Sequence, residues 1–387
     1  MKRIGMGLVG AGLIGPQHID AVRRLGFVDV VAVAGSSEKS AKEKAEMLGI
    51  PKAYGGFQAL IDDPDVEVVH NCTPNFLHLP VNSAVIAKKK HVVSDKPLAM
   101  NASEAKQLLT AVRQAGVVHA VTFNYRGNPL VQQARAMIAN GEIGQPHFIH
   151  GHYLQDWLIK ETDFSWRIEP EKGGPSSAMG DIGSHWCDLV QHVSGLRIES
   201  VLADLTTVIP TRTKPKVARE SFAEAGAADT GETFTVEVED LGSVLVRFEN
   251  GCKGVFSVGQ VCAGHKNNLV FEIDGMGGSV RWHQERQNEL WLGRRDGGNV
   301  DMAKDPGMMD ESIQHYTHLP GGHQEGFATA FHNVIRDIYG VILEEGARND
   351  IRPPAFATFE DGYRANCIVD AVLASSAAGG VWTQVQY

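Results

Sequence analysis

A chain of 387 residues, 43% hydrophobic and 21% charged, is long enough for two domains with proper cores and excludes the disordered and collagen-like classes. A net charge of -10 with no block of Lys or Arg argues against a general nucleic-acid or membrane surface and favours small polar ligands. Five cysteines (Cys72, Cys187, Cys252, Cys262 and Cys367) are odd in number, lack a C-x-x-C pair and sit in apolar stretches, which points away from disulfides and structural zinc and toward a reducing cytoplasm.

The N-terminus places Lys2 and Arg3 before an apolar run, as a secretory signal does, but five glycines interrupt "MKRIGMGLVGAGLIG" and no cleavage site follows, so the segment reads as structure. No later run approaches the roughly 18 uninterrupted apolar residues of a membrane-spanning helix. The first 120 or so residues then alternate β-branched runs (4–10, 28–35, 66–73, 90–95, 118–124) with helical patterns (16–25, 38–48, 79–89, 102–116). Such repetition predicts a parallel sheet with helices on both faces. A second region begins near Pro129 with a helix over 129–144, followed by strand-like runs at 146–157, 198–209, 233–261, 267–283 and 288–293. The Asn250-Gly251 turn among them signals an antiparallel meander. Two stretches, 210–231 and 294–322, show little periodicity, and loops of such length are commonly functional.

Gly10-Ala11-Gly12-Leu13-Ile14-Gly15 follows an apolar strand and opens a helix, the context in which G-x-G-x-x-G cradles a dinucleotide pyrophosphate at a helix N-terminus. A Gly-rich turn without a ligand is the plainer alternative. The second strand ends in Gly35, Ser36 and Ser37 rather than the Asp or Glu that accepts from a ribose 2'-hydroxyl, and Lys39 follows, so NADP is mildly favoured over NAD. Glu38 could restore the NAD preference by turning onto the ribose.

"HNCTPNFLH" (His70 to His78) and "HVVSDKPL" each follow a strand and fall at its carboxyl edge, where ligands bind in a doubly wound sheet. Lys96, preceded by Asp95 and locked by Pro97, is placed there to donate to an oxygen developing negative charge; alone it would read as a surface lysine. In "MGDIGSHWCD" Asp181 and His185 stand four apart and share a helix face, with the helix N-terminus expected at Gly180 to Gly183. Imidazole has the right pKa to take a hydroxyl proton, and the carboxylate can hold its tautomer or bind a neighbouring hydroxyl. A metal reading could recruit Asp188 and His192, but no third-ligand motif accompanies them and no metal is expected. Packing of a buried His185 is the remaining alternative.

These motifs together resemble the glucose-fructose oxidoreductase, inositol dehydrogenase and rhizopine-catabolism oxidoreductase family. The resemblance rests on Gly10 to Gly15, on Cys72 to His78, on Asp95-Lys96-Pro97 where the family commonly has Glu-Lys-Pro, and on "GDIGSHWCDL" for its Asp-x-Gly-x-His signature. It implies an N-terminal Rossmann domain (1–126) and a C-terminal α/β domain (127–387) whose large, open, mainly antiparallel sheet makes a homodimer or homotetramer interface. It also implies NAD(P)-dependent oxidation of a carbohydrate or cyclitol hydroxyl, with Lys96, Asp181 and His185 as the catalytic set. Thr73, Pro74, Asn75, His78, Asp95 and Asn124 would join the glycine loop around the cofactor.

Sugars are gripped by aromatic faces and fixed polar groups. If 146–157 is a strand throughout, Tyr153, Gln155 and Trp157 alternate onto one side, with His152 and Asp156 on the other. Trp166 and Arg167 follow in a loop, and Tyr125 and Arg126 end the last strand of the first domain, where they would line the cleft. His323 in "PGGHQEGF" stands at a helix start, and similar family members use it near the substrate; a neighbour of a helix cap is the alternative. The combination of "YLQDW", "GDIGSHW" and "GGHQEG" looks most like the branch of levoglucosan and glycoside 3-dehydrogenases. Two other functions remain compatible: a redox-neutral, nucleotide-dependent glycoside hydrolase, and a non-enzymatic sensor, which would have no need of the proton relay.

Overall fold

The computed structural model describes residues 3–216, 231–344 and 355–387; most of the aperiodic stretch 210–231 lies outside them. Contacts divide the chain into two compact units, Met1–Gly127 with Phe327–Arg364, and Asn128–Gly326 with Ala365–Tyr387. The first boundary falls after Gly127, but residues 327–364, expected in the second domain, belong to the first.

The first unit is built on β1 (Ile4–Val9), β2 (Val28–Ala34), β3 (Lys52–Tyr54), β4 (Val68–Asn71), β5 (His91–Ser94) and β6 (His119–Val121). They form a parallel sheet in the order β3-β2-β1-β4-β5-β6. The order reverses between β1 and β4, which opens a ligand crevice at their carboxyl ends. The connecting helices are α1 (Gly15–Arg23), α2 (Glu38–Leu48), α3 (Phe57–Asp62), α4 (His78–Ala87) and α5 (Ala102–Ala115). Local chemistry sets their ends: Ser37 caps α2 by accepting from the Ser40 amide at 3.2 Å, and Gly49 closes it at φ +62°, a left-handed conformation that glycine adopts without strain. Every position of β1 is buried, as a strand covered on both faces requires. Met6, Leu8, Ile19, Val22 and Val68 share one core with Phe331, Val334, Ile335, Ile338 and Tyr339 of the helix Phe327–Glu344. That apolar stripe, repeating at helical spacing, is why the late segment returns to this unit.

The second unit contains α6 (Pro129–Ala139), β7 (Pro146–Leu154), α7 (Pro170–Gly173), α8 (Ser184–Ser194), β8 (Ile198–Thr206), β9 (Thr211–Thr213), β10 (Thr233–Thr235), β11 (Leu241–Phe248), β12 (Lys253–Gly259), β13 (Asn268–Gly275), β14 (Ser279–His283), β15 (Glu289–Gly293), β16 (Val300–Ala303) and β17 (Thr383–Gln384). Nine of the strands form a sheet in the order β16-β15-β14-β13-β7-β12-β11-β8-β17, and β9 and β10 pair separately. Its neighbours run antiparallel except β7 with β12, so the sheet is mixed and mainly antiparallel. Asn250 and Gly251 join β11 to β12 with φ of +70° and +87°, the tight-turn geometry their residue types favour. The stretch 294–322 is not structureless: it supplies the edge strand β16 and short helical turns at Pro306–Met308 and Glu311–Tyr316.

On one face of the nine-stranded sheet Ile149, Tyr153, Phe271, Ile273 and Trp282 are buried. Gly151 in β7 lets α8 approach this sheet, because a Cβ there would lie 2.0 Å from the Val270 carbonyl oxygen and 2.8 Å from Trp186 Nε1. The Trp186 indole instead donates to that carbonyl at 3.0 Å and stacks on Phe256 with centroids 4.3 Å apart. This fixes the rotation of α8 and hence the direction of His185, its neighbour in sequence.

Candidate active site

In the first unit the glycine loop adopts the form a dinucleotide needs. Gly10 has φ +87°, and a Cβ on it would stand 2.7 Å from the Cys72 carbonyl oxygen. At Gly15 a Cβ would meet the Gly10 carbonyl oxygen at 2.9 Å, so both positions require glycine for close packing. At Gly12 a Cβ would meet nothing within 4 Å, leaving open space before α1. Ile14 precedes α1 without a capping side-chain bond and no acidic residue stands in its first turn, so its amides and dipole are available to an anion; Leu13 is exposed. Asn124 adds a buried Nδ2 donor with no hydrogen-bond partner. Open space, uncapped amides and an orphaned donor fit a bound dinucleotide.

At the end of β2, Ser36 and Ser37 are exposed and the Ser37 hydroxyl is already the cap of α2. Glu38 pairs with Lys42 at 3.2 Å, and Lys39 lies 4.0 Å from Glu43. Beyond β4, the Asn71 carboxamide oxygen accepts from the Thr73 hydroxyl at 2.7 Å, while Pro74 leads into a helical turn at Asn75–Leu77. The Asp95 carboxylate accepts from Thr122 at 2.8 Å, and the bond from Lys96 to Pro97 is cis.

Three expected ligand contacts in this unit read differently in the structure. His78 is fully buried, with Nδ1 2.7 Å from the Pro97 carbonyl oxygen and Nε2 2.9 Å from that of Thr73, so its ring ties the loop after β4 to the Lys96 turn. Arg126 is buried and pairs with Asp361 at 3.2 Å. Tyr125 is buried too, edge-on to Phe327 with centroids 6.4 Å apart. The returning segment covers both residues, and sequence order gave no sign of that.

In the second unit, Met179–Gly183 forms a π-helical turn that runs directly into α8, so the helix is already under way at Gly180 instead of beginning there. Asp181 lies in the π turn and His185 in the first turn of α8. The Asp181 carboxylate is divided between two partners: Oδ1 accepts from Arg167 Nε at 3.2 Å and Oδ2 from Gln260 Nε2 at 3.0 Å. Arg167 in turn lies over the Trp166 ring, 4.5 Å from its centroid. Gln260 is fully buried and its oxygen accepts from Ser177 at 3.0 Å, which orients the amide. Behind it, Oε1 of the buried Glu239 accepts from the Ser176 hydroxyl and the amides of Ser177 and Met179 at 2.7, 3.1 and 2.8 Å, capping the helical stretch that carries Asp181. Burial pushes the Glu239 carboxyl up, against the pull of these donors. Neither Gln260 nor Glu239 belongs to a recognisable motif, and the sequence reading missed both.

His185 is buried, with the Tyr153 ring edge-on at a centroid distance of 6.1 Å. The Tyr153 hydroxyl donates to Asn267 Oδ1 at 2.5 Å, as does Gln155 Nε2 at 3.1 Å, and Trp157 Nε1 donates to Gln155 Oε1 at 2.7 Å. Strand β7 stops at Leu154, so Gln155 and Trp157 leave the expected alternation; Trp157 packs against Leu158, Ile168 and Val236. Gln155 is buried with both ends of its amide bonded inside the protein. Asp156 is paired with Lys266 at 2.7 Å. His192 lies 3.2 Å from Gln132 Nε2 and Asp188 is buried. His323 is exposed on a loop anchored by a buried ion pair, Lys304 to Glu325 at 2.6 Å. Lys304 also donates to the Leu319 carbonyl at 3.0 Å, and the Asn288 carboxamide bonds both the amide and the carbonyl of Glu325.

A doubly wound sheet with a dinucleotide cradle in one unit, and in the other a mixed sheet packed by a helix that carries an oriented Asp181 and a buried His185, are the features of a pyridine-nucleotide oxidoreductase. The chain belongs to the GFO/IDH/MocA oxidoreductase family, matching its NAD-binding Rossmann fold over residues 4–123 and its C-terminal domain over 131–281. It is 30% identical to levoglucosan dehydrogenase of Pseudarthrobacter phenanthrenivorans across 100% of this chain and 99% of that one. Myo-inositol 2-dehydrogenase of Thermotoga maritima is 27% identical over 65% of this chain and 66% of its own. Among solved structures, a levoglucosan dehydrogenase complex with NADH and L-sorbose superposes with a TM-score of 0.88 at 29% identity, covering 100% of both chains.

Proposed function

We propose that the protein is an NAD(P)-dependent dehydrogenase acting on a hydroxyl of a sugar, glycoside or cyclitol, or on the corresponding ketone in reverse. The observation that carries the reading is the Asp181 carboxylate, held at both oxygens by Arg167 and Gln260 on the helical stretch that presents His185. A carboxylate so fixed suits a polyol, whose hydroxyls must be aligned before one of them reacts.

In this reading His185 takes the hydroxyl proton, Lys96 donates to the oxygen as its charge develops, and Asp181 fixes the substrate against His185. Bound nicotinamide supplies the hydride acceptor. The loop Gly10 to Gly15, Thr73 to Asn75, Asp95 and Asn124 hold the nucleotide, while Trp166, Arg167 and His323 contact the sugar. NADP is mildly favoured, because the end of β2 carries no carboxylate to repel a 2'-phosphate and presents Ser36 and Lys39 to it. We place the enzyme in the cytoplasm as a homodimer or homotetramer; among the described residues no helix is long and apolar enough to cross a membrane.

The test is absorbance of the reduced nicotinamide with NAD or NADP and a panel of levoglucosan, glucosides, free hexoses and inositols. Reduction with one sugar class, lost in His185→Ala, is the expected result. Aglycone release without net reduction would replace the reading with a redox-neutral hydrolase, and tight nucleotide binding without any turnover would replace it with a sensor.

A further inference from the structure

The face of the nine-stranded sheet opposite Ile149, Phe271 and Ile273 carries a group of side chains that the proposed reaction does not use. On β7 the alternation puts His150 on that face, and on β13 it puts Glu272 and Asp274 there, alternating with the buried Phe271 and Ile273. Glu272 is registered directly opposite His150. His150 Nε2 lies 4.0 Å from Glu272 Oε1 and 3.6 Å from Asp274 Oδ2, and one donor atom from each residue falls within 4.8 Å of the others.

Each donor is steadied from outside the group. The other oxygen of Asp274, Oδ1, accepts from the Ser279 hydroxyl at 2.5 Å, and Glu272 Oε2 pairs with Arg281 at 3.5 Å. His150 rests against Phe148, ring centroids 5.0 Å apart. One oxygen of each carboxylate is therefore engaged, and the second is directed at the imidazole nitrogen. Metal sites are held in this way, with first ligands oriented by an outer set of bonds.

The spacing can be compared with what a metal requires. Tetrahedral ligation at about 2.1 Å separates donor atoms by about 3.4 Å, so the distance from His150 to Asp274 is wide by about 0.2 Å and that to Glu272 by about 0.6 Å, within reach of small side-chain rotations. The chemistry also selects among ions. One imidazole with two carboxylates suits zinc and similar first-row divalent cations, whereas magnesium and calcium prefer all-oxygen sites. Two carboxylates two residues apart on one strand face repel each other, and a divalent ion on His150 Nε2 would offset that repulsion more fully than the Arg281 contact at 3.5 Å does.

We propose that His150, Glu272 and Asp274 form a binding site for a zinc-type divalent cation, with the fourth position left to water. The site is independent of the Asp181 and His185 region and of the reading of the reaction.

Calorimetric titration of metal-free, full-length protein with Zn2+, with Mg2+ as the control, tests it. The expected result is one zinc per chain, no comparable magnesium binding, a loss of zinc affinity of about a hundredfold or more in His150→Ala, and a loss of at least about tenfold in Glu272→Gln. Both substitutions lie on the sheet face opposite the buried Ile149, Phe271 and Ile273, where the proposed oligomer would pack, so oligomeric state is recorded in each variant; dehydrogenase activity is expected to persist in them, separating this site from the catalytic reading. Absence of zinc binding to the native protein, or binding that His150→Ala leaves unchanged, overturns the proposal. In the first case the group is an ion-pair network; in the second the zinc sits elsewhere.

Discussion

Gln260 Nε2 donates to Asp181 Oδ2 at 3.0 Å from across 79 residues of sequence, and so decides how the carboxylate is turned. Replacing Gln260 by Leu removes the donor at similar volume, and kcat/KM for the sugar is expected to fall about tenfold to a hundredfold as the carboxylate loses its orientation. Gln260→Glu should do more, since a second carboxylate beside Asp181 raises its pKa. The acid limb of the pH profile then moves to higher pH in Gln260→Glu and stays in place in Gln260→Leu. Steady-state kinetics across pH separates the two outcomes.

The Lys304 and Glu325 side chains are 2% and 1% exposed, so their ion pair has no water to fall back on. Glu325→Ala leaves a buried ammonium and is expected to cost about 3–5 kcal/mol, read as a lower melting temperature. Joint replacement by Met at 304 and Leu at 325 should recover most of that loss. The loop bearing His323 would still suffer, because Glu325 Oε1 also accepts from the His318 amide at 2.8 Å; a raised KM for the sugar in the double variant is the expected sign.

Acid stability should follow the buried histidines of the first unit. Burial brings His18 to about 4, with Asp95 opposing, and brings His119 to about 4, with Asp361 opposing and Arg113 assisting. In each case the folded pKa lies below the unfolded value of 6.5, so between these limits the unfolded chain binds more protons. Their contribution is complete above pH 6.5 and is lost as pH falls toward 4. Urea midpoints should drop steadily through that window. His119→Gln should flatten part of the drop, since His119 Nδ1 now accepts from the Phe359 amide at 3.1 Å and the glutamine oxygen can replace it.

In the proposed reading, Ser36 faces the ribose and is the position that sets cofactor preference. Ser36→Asp adds a carboxylate acceptor for a ribose 2'-hydroxyl and a repulsion for a 2'-phosphate. The NADP to NAD ratio of kcat/KM is expected to fall by about tenfold or more, and an unchanged ratio would show that the ribose lies elsewhere.

What the sequence disclosed was whatever depends on neighbours in the chain. Gly10 and Gly15 are legible because the turn itself demands glycine, and Asn250-Gly251 because the turn from β11 to β12 requires positive φ at both. Asp181 and His185 were legible as a pair, but the π winding between them leaves no compositional trace. Gln260 and Glu239 act across 79 and 60 residues and carry no local signature. The error at Gln155 and Trp157 has a plain cause: polar and apolar residues keep alternating after the strand's ladder has ended at Leu154. Arg126 looked like a ligand of the cleft because its partner, Asp361, lies far along the chain.

The helix Phe327–Glu344 supplies Phe331, Val334, Ile335 and Ile338 to the core beneath β1 and β4. A protein cut after residue 127 therefore exposes the apolar side of α1 and should not hold its nucleotide fold. During synthesis the earlier strands must wait for a helix that follows β16 of the second unit, so the nucleotide-binding unit completes its core only after most of the second unit's sheet has been made. A chaperone that guards unfinished apolar surface would have the longer task at this unit, although its strands are made before those of the other.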